Sequence, residues 1–503
     1  MSFCGTDLDK EGSTIGILTD NILLEIFYFY QDFYRINPDI IDPSYRGPAM
    51  PLTDWRRLMH VCQKWRQIIF DSPRRLNLQI LCTPENLFKK SLGIWPDFPI
   101  AIKHCSHLGI LNSIHEDDIF AALEHSDRVL SIELIITGPQ LEKMATVMHK
   151  PFPVLTYLGI GSKNGHRGAS RGEKLDLPSG FLGGSAPCLE EITLSYISFP
   201  TLPTLLLSAK NLVKLNLCNV PSTGYISPDA MVACVVELPR LNTLRLECKW
   251  ATVRLGQRCP PPITRTVLPA LTHFQYDGAS QYLEDLVAQI DCPELQKITV
   301  SDTNPVVDFQ IAQLARFLNH SLGPETSPYK PTELYLDDGS VSIHMYHDPK
   351  HPSYTWDPST TYIYYCWTGQ QVSYVANVLN QFSPILSTVA YLSLMSFPYR
   401  QFKGADEADW LHLLRPFSAV QTLHVSRELA RHVALALKGF PAAEVLPSLR
   451  LTCLEGHPES SLEEFVAARE LSDRPVIVVE EKTDYVEKLE YFVLELEAVT
   501  ELE

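Results

Sequence analysis

Three histidines form the first pattern in the sequence that could support chemistry. His344, His347 and His351 could bring imidazole rings together around a metal ion. The same segment contains Pro349 and Pro352 and has no neighbouring cysteine ligand, so the residues favour a polar loop. We therefore predict no metal site there.

Two glycine-containing segments are the next candidates. Gly159 and Gly161 follow a predicted strand, but no Gly-Lys-Ser/Thr sequence follows them and no acidic residue completes a dinucleotide-binding unit. We expect the glycine-rich basic stretch 159–174 to be a solvent-exposed loop. Gly184 and Ser185 lack the second glycine of a nucleophile elbow, and no kinase or zinc-protease signature occurs. The sequence thus indicates no catalytic residue and no cofactor, and we expect the chain not to be an enzyme.

Composition limits the classes of partner. The chain has 503 residues, a formal net charge of -17, 45% hydrophobic and 20% charged residues, which is typical of a folded protein. The negative charge argues against a nucleic-acid partner, because phosphate binding requires clustered lysine and arginine. No run of 18 apolar residues and no signal-peptide pattern occurs, so we expect no membrane partner and a cytoplasmic or nuclear location. The 12 cysteines form no Cys-x-x-Cys pair and are predicted to be reduced thiols that pack in the core.

Two amphipathic helices are predicted near the N-terminus. In the first, apolar residues recur at helical spacing from Ile22 to Tyr30, and Thr19 or Asp20 can cap its start. In the second, a continuous apolar stripe runs from Leu52 to Ile69 with basic residues on the other sides. Helices of this size are marginal alone and need something to pack against.

These N-terminal residues resemble an F-box. The similarity rests on Leu18-Thr-Asp-Asn-Ile-Leu-Leu-Glu-Ile-Phe27, then Leu58, Val61-Cys-Gln-Lys-Trp65 and Ile68. It spans about the first 80 residues, and the continuation Ser72-Pro-Arg-Arg-Leu76 is similar to fungal F-box-like proteins. The chain departs from the family at Thr19, where proline is usual, and in a proline-rich insertion at about 31–51.

The resemblance implies a partner. In that family the helical cluster packs on the Skp adaptor of cullin-RING (SCF) ubiquitin ligases, so the Skp adaptor and the cullin scaffold are the implied partners. The implied adaptor contacts are Leu18, Ile22, Leu23, Ile26, Phe27, Val61, Cys62 and Trp65.

A repeated unit dominates the rest of the chain. From Val129 onward, an apolar residue is followed three and five positions later by two more apolar residues. Seven copies begin 23 to 34 residues apart, near the period of leucine-rich repeats. Their first positions are Val129, Leu155, Leu189, Leu212, Leu241, Leu271 and Leu295. The array resumes near 334, 389 and 420, and a weaker copy follows at 446. We predict strands of a parallel sheet with helices between them, stacked one repeat on the next.

Insertions at about 161–180 and 337–374 interrupt the array. The second is aromatic, and strand-like segments at 341–346 and 361–367 predict a projecting hairpin. Long insertions in repeat proteins commonly lie on the binding face. We therefore name Tyr346, Trp356, Tyr364 and Trp367 as speculative contacts to an unknown protein substrate.

The predicted fold is an α/β solenoid with an N-terminal small helical F-box followed by an irregular leucine-rich-repeat arc. Its parts are the helical domain at 1–80, a connecting segment with a first repeat at 81–128, the array at 129–456 and a C-terminal capping segment at 457–503. We expect a substrate-recognition adaptor of an SCF-type ubiquitin ligase. The alternatives are a repeat scaffold whose F-box-like helices only cap the array and, third, an enzyme in an irregular α/β fold.

Overall fold

The structure is a computed structural model of the chain. It describes residues 18–36, 58–72, 75–76, 78–83, 88–89, 98–104, 113–162, 176–248, 265–302, 311–321, 331–337, 340–345, 361–366, 372–396, 406–438, 446–449, 451–454 and 467. Apart from residue 467, the predicted capping segment at 457–503 therefore lies outside the described residues.

The described helices alternate with strands after an initial helical pair. They are α1 (Asp20–Ile36), α2 (Gln63–Asp71), α3 (Ser113–Leu123), α4 (Gly138–Val147), α5 (Leu202–Ser208), α6 (Pro228–Val235), α7 (Ser280–Val287), α8 (Ala312–Ser321), α9 (Val372–Gln381), α10 (Ser383–Leu386), α11 (Glu407–Leu414) and α12 (Arg427–Lys438). Helices α6, α7 and α8 lie between strands of the repeat region, which confirms the prediction that helices separate these strands.

Fifteen of the described strands form one mixed sheet, and two form a small parallel pair. The strands are β1 (Ile80–Cys82), β2 (Ile100–His104), β3 (Val129–Ile136), β4 (Tyr157–Ser162), β5 (Glu191–Ser195), β6 (Lys214–Cys218), β7 (Thr243–Cys248), β8 (Thr266–Val267), β9 (His273–Gly278), β10 (Ile290–Asp291), β11 (Lys297–Asp302), β12 (Pro331–Asp337), β13 (Ser340–Met345), β14 (Thr361–Cys366), β15 (Tyr391–Ser396), β16 (Thr422–Val425) and β17 (Leu451–Leu454). The large sheet has the order β1-β2-β3-β4-β5-β6-β7-β9-β11-β14-β13-β12-β15-β16-β17, so most strands pair with their neighbours in sequence. Strands β1 and β2, from the predicted connecting segment, are its first two strands.

Strand pairing follows the repeated unit. The second apolar position of each copy lies beside its equivalent in the next strand, in parallel pairs that run Ile132, Leu158, Ile192, Leu215, Leu244, Phe274 and Ile298. All seven side chains are buried. Polar and small residues between them point to the opposite face, because side chains alternate along a strand. The seven predicted strands are confirmed, and they share one register.

A recurring turn precedes these strands. The backbone N–H of the first apolar position donates to the carbonyl oxygen three residues earlier, as in Leu212 to Ala209 and Leu241 to Leu238, both at 3.0 to 3.1 Å. The same turn occurs before the later strands, for example from Val420 to Phe417. Proline often occupies the second position of the turn, as at Pro239, because its fixed φ suits that position and prevents helix continuation.

The aromatic insertion differs from its prediction. Its two strand-like segments do form an antiparallel hairpin, β13 with β14, but the hairpin does not project from the array. It enters the large sheet, where β12, β13 and β14 form an antiparallel meander with β14 parallel to β11 and β12 parallel to β15. Leu334, Ile343 and Ile363 are buried side by side on the core face of the meander. Three strands restore the direction of the array, so the parallel register continues on both sides.

The N-terminal helices also differ from the predicted bounds. The first helix extends to Ile36, so the beginning of the predicted insertion is helical. The predicted continuous helix from Leu52 to Ile69 is wrong within the described residues, because the backbone turns at His60 and Val61 and helix α2 begins after Cys62. Cys62 has an extended backbone, and its sulfur accepts from the Trp65 N–H, so it caps α2.

Two further expectations need correction. Strand β4 continues through Ser162, so Gly159 and Gly161 lie in a strand, and the residues from 163 to 175 of the predicted loop lie outside the described part. The cysteines are not all core residues, because Cys62 and Cys188 are exposed. No helix in the described parts of the chain combines the length and apolarity needed to cross a bilayer.

Candidate protein-binding surfaces

The N-terminal helical pair, defined as α1, residues 58–62 and α2, packs its inner face against the start of the sheet. Leu23 and Phe27 of α1 and Ile69 of α2 are fully buried in the continuous hydrophobic core. Phe27 meets the Trp65 ring edge to face with centroids 4.9 Å apart. Phe70 lies 5.7 Å from Phe98, the residue that leads into β2. The pair therefore packs its inner face into the core near the start of β2.

A stripe of α1 beside its buried face is apolar and exposed. Ile22, Ile26 and Phe29 have exposed fractions of 47%, 41% and 69%. With 3.6 residues per turn, these positions fall within an arc of roughly 60°, centred roughly 110° around the helix from Leu23 and Phe27. Helices that only cover a core have polar residues outside their buried face. We call Ile22, Ile26 and Phe29 the outer stripe.

Ionic contacts join α1 to α2 and to Arg75, which follows α2 in the chain. Lys64 Nζ lies 3.5 Å from Asp20 Oδ1 and donates to the Leu18 carbonyl oxygen at 2.8 Å. Arg75 Nη2 lies 3.1 Å from Glu25 Oε1. All four side chains are at least 40% exposed, so each pair contributes only a few tenths to about 1 kcal/mol. These cations contact α1, which leaves less of the basic face to attract an acidic partner.

The implied adaptor contacts divide between the two faces. Leu23 and Phe27 are buried, and Leu18 and Trp65 are half-buried against the core. Ile22, Ile26, Val61 and Cys62 are exposed. The outer stripe includes Phe29, which sequence reasoning missed although it lies seven positions after Ile22. Helical spacing of apolar residues alone does not show which side of the helix faces the core.

The face of the large sheet opposite the helices is the second candidate surface. In its first half, charged side chains pair with each other along and across the strands. Lys103 contacts Glu133 at 3.1 Å, and Lys214 contacts Glu191 at 3.2 Å. In β7, Arg245 forms a close ion pair with Glu247. This half of the face is therefore largely neutralised by its own charges.

The meander carries aromatic residues on the same face. Tyr335 of β12, His344 of β13 and Tyr362 of β14 lie in a row, with ring centroids 5.1 Å and 4.8 Å apart. Tyr364 stacks beside Tyr362 with centroids 6.3 Å apart and planes at 10°. All four are half-buried. We call Tyr335, His344, Tyr362 and Tyr364 the aromatic patch.

A buried carboxylate lies within the aromatic patch. Glu333 pairs in register with His344 and is only 5% exposed. The Tyr335 hydroxyl donates to Glu333 Oε2 at 3.1 Å. Burial lowers the pKa of His344 to about 4, so its imidazole is neutral at pH 7. His344 lies in a strand instead of the predicted polar loop.

Only one of the predicted substrate contacts can be located. Tyr364 lies in the aromatic patch, whereas Tyr346, Trp356 and Trp367 lie outside the described residues. Sequence reasoning missed Tyr335, His344 and Tyr362 as a group, although strand alternation places them on one face. Within the part of the chain that the structure describes, no group of three or more His, Cys, Asp or Glu residues could hold a metal ion.

Comparisons with known proteins add little. No protein-family model and no curated protein matches the chain. Among solved structures, it is similar to the leucine-rich repeat-containing protein LegL7 from Legionella pneumophila, with 13% identity and a TM-score of 0.26 over 69% of this chain and 99% of that chain. The structural similarity at this TM-score is too weak to support an inference about this chain.

Proposed function

We propose that this chain is a protein-binding adaptor without catalytic chemistry of its own. In this proposal the N-terminal helical pair is an F-box that docks on the Skp adaptor of a cullin-RING ubiquitin ligase. The sheet and its helices form a leucine-rich-repeat solenoid that holds a protein substrate, and ubiquitin transfer occurs by proximity to other subunits.

The observation that supports this proposal is the outer stripe of α1. An isolated exposed apolar residue needs no explanation, but three at helical spacing on one exposed face are typical of a helix that docks on a partner. The stripe comprises Ile22, Ile26 and Phe29, and two of these residues are among the contacts that the F-box resemblance implies.

One observation favours the alternative of a repeat scaffold. Leu23, Phe27 and Ile69 bury the inner face of the pair in the continuous core, as a capping element would. The two roles use different faces, however, so capping by the inner face leaves the outer stripe available. The proposals therefore differ in whether the outer stripe has a partner.

The test is co-purification of the full chain with the Skp adaptor. A double change, Ile22→Asp with Ile26→Asp, places charge on the outer stripe without entering the core. We expect binding to weaken by at least about 100-fold, since roughly 3 kcal/mol of apolar contact is lost. A matched control is Leu207→Asp on α5, an equally exposed helical leucine at 51%.

The controls separate the outcomes. Loss of binding in the double variant, with unchanged circular dichroism and retained binding by Leu207→Asp, supports the adaptor proposal. Failure of the unmodified chain to bind the Skp adaptor refutes it and leaves the scaffold. Changes at Leu23 or Phe27 are unsuitable for this test, because both side chains are fully buried and their loss would unfold the pair.

A further inference from the structure

The aromatic patch stands apart from the rest of the polar sheet face. Elsewhere on this face cations and carboxylates neutralise each other, as in the pairs of Lys103 with Glu133 and Lys214 with Glu191. On the meander, tyrosine rings replace charged side chains, and Tyr391 of β15 adds a further aromatic residue that is 38% exposed. Tyrosine is enriched among the interface residues that contribute most of the binding free energy.

The geometry of the patch suits a cation. The ring centroid of His344 lies 5.1 Å from that of Tyr335 and 4.8 Å from that of Tyr362, so the three rings form a continuous row. Aromatic faces carry negative potential and attract guanidinium or ammonium groups within about 6 Å. Glu333, in register with His344, adds a buried carboxylate that accepts from the Tyr335 hydroxyl, so it acts on a cation through its charge and not by direct contact.

The charge balance points in the same direction. The chain has a net charge of -17, so its long-range field attracts basic partners. Burial lowers the pKa of His344, so the imidazole within the row stays neutral at pH 7 and does not repel a cation. An acidic partner would meet both the Glu333 carboxylate and the negative faces of the rings.

We propose that the aromatic patch binds an arginine-containing segment of a partner protein, with the guanidinium over the tyrosine rings and the buried Glu333 carboxylate adding negative potential to the patch. This inference rests on the proposed protein-binding function and names the chemistry of the bound segment. Arginine fits better than lysine, because its planar group stacks on aromatic rings.

The test uses three labelled peptides and fluorescence anisotropy with the full chain. The first peptide is eight residues of alternating serine and arginine, the second has citrulline in place of arginine, and the third has glutamate. We expect the arginine peptide to bind at least about tenfold more tightly than the citrulline peptide, within the range of one or two cation–π contacts. The glutamate peptide should not bind.

Three variants locate the site. Tyr362→Leu removes one ring, and Glu333→Gln removes the charge while keeping the shape of the side chain. Each should weaken binding of the arginine peptide by about five- to tenfold. The matched control is Tyr157→Leu on β4, a half-buried tyrosine on the same face, six strands away, or roughly 29 Å.

The outcomes separate this inference from the proposed function. Equal binding of arginine and citrulline peptides, preference for the glutamate peptide, or no binding by the unmodified chain would overturn the inference. An equal loss in Tyr157→Leu would also overturn it, because the binding would then not depend on the patch. A chain that binds the Skp adaptor but not the arginine peptide contradicts only this inference, whereas failure in both assays contradicts both proposals.

Discussion

Replacing Ile343 by alanine tests whether the meander is part of the core. The Ile343 side chain is 1% exposed and lies between Leu334 and Ile363, which are equally buried on the neighbouring strands. A projecting hairpin, as the sequence suggested, would expose at least part of this side chain.

The expected cost follows from what the change removes. Ile343→Ala deletes three carbon atoms, worth about 0.8 kcal/mol each in transfer free energy, or roughly 2.4 kcal/mol. The cavity left in a tightly packed region adds to this, so we expect the free energy of unfolding to fall by about 3 kcal/mol. Ser342→Ala is the control, because Ser342 is the next residue of β13 and points to the other face, and it should change stability by less than about 0.5 kcal/mol.

The assay is urea denaturation followed by circular dichroism at 222 nm. The unfolding slope is compared between variants, because an unchanged slope shows that the same surface becomes exposed. A loss below about 0.5 kcal/mol for Ile343→Ala, similar to that for Ser342→Ala, would refute the integration of the meander into the sheet.

Three further predictions concern single residues. Gly278→Ala should destabilise the chain by about 1 to 3 kcal/mol, because the added Cβ would lie 2.5 Å from the Cys248 carbonyl oxygen. Gly180→Ala is the control in the same urea assay and should be nearly neutral, because a Cβ there would have no neighbour within 4 Å among the described residues. Burial lowers the pKa of His344 to about 4 in the folded state. Between about pH 6.5 and pH 4 the unfolded state therefore binds more protons than the folded state. The free energy of unfolding should fall as the pH falls through this range, by up to about 1.4 kcal/mol per pH unit. His344→Phe should remove this contribution, and identical pH profiles for the two proteins would contradict it. Asp118→Ala should lower the free energy of unfolding by about 2 kcal/mol, because the buried carboxylate accepts from the backbone N–H groups of Phe88 and Lys89. Asp118→Asn keeps one acceptor oxygen, so thermal unfolding should show a smaller loss of stability for this variant.

Much of the sheet was predictable from local sequence. The repeated apolar triplet encodes both a strand and its register, because one buried position such as Leu215 must lie beside its equivalents to share a core. The turn before each strand was also visible, since proline and the first apolar residue mark it.

The meander's position was not predictable by the same reasoning. Alternation in 341–346 and 361–367 indicates strands and a hairpin, but it does not say which existing strands they join. Which strands the hairpin joins depends on the direction of each strand. Three antiparallel strands allow β14 to pair parallel with β11 and β12 parallel with β15, whereas two would leave one edge in the wrong direction.

The helical pair shows a different limit. The apolar side of α1 is broad, so periodicity could not separate the buried Leu23 and Phe27 from the exposed Ile22 and Ile26. The break at Cys62 was also hidden, because an apolar stripe continues in sequence on both sides of it. Tertiary packing decides both features.

The proposed function depends on binding of the outer stripe of α1 to the Skp adaptor. The most direct measurement is hydrogen–deuterium exchange of the full chain with and without that adaptor. We expect slower exchange in peptides covering 20–36, because docking buries the exposed face of α1 and suppresses its opening, and no change in α5, which carries the exposed Leu207. Unchanged exchange throughout α1 at saturating adaptor would contradict the claim.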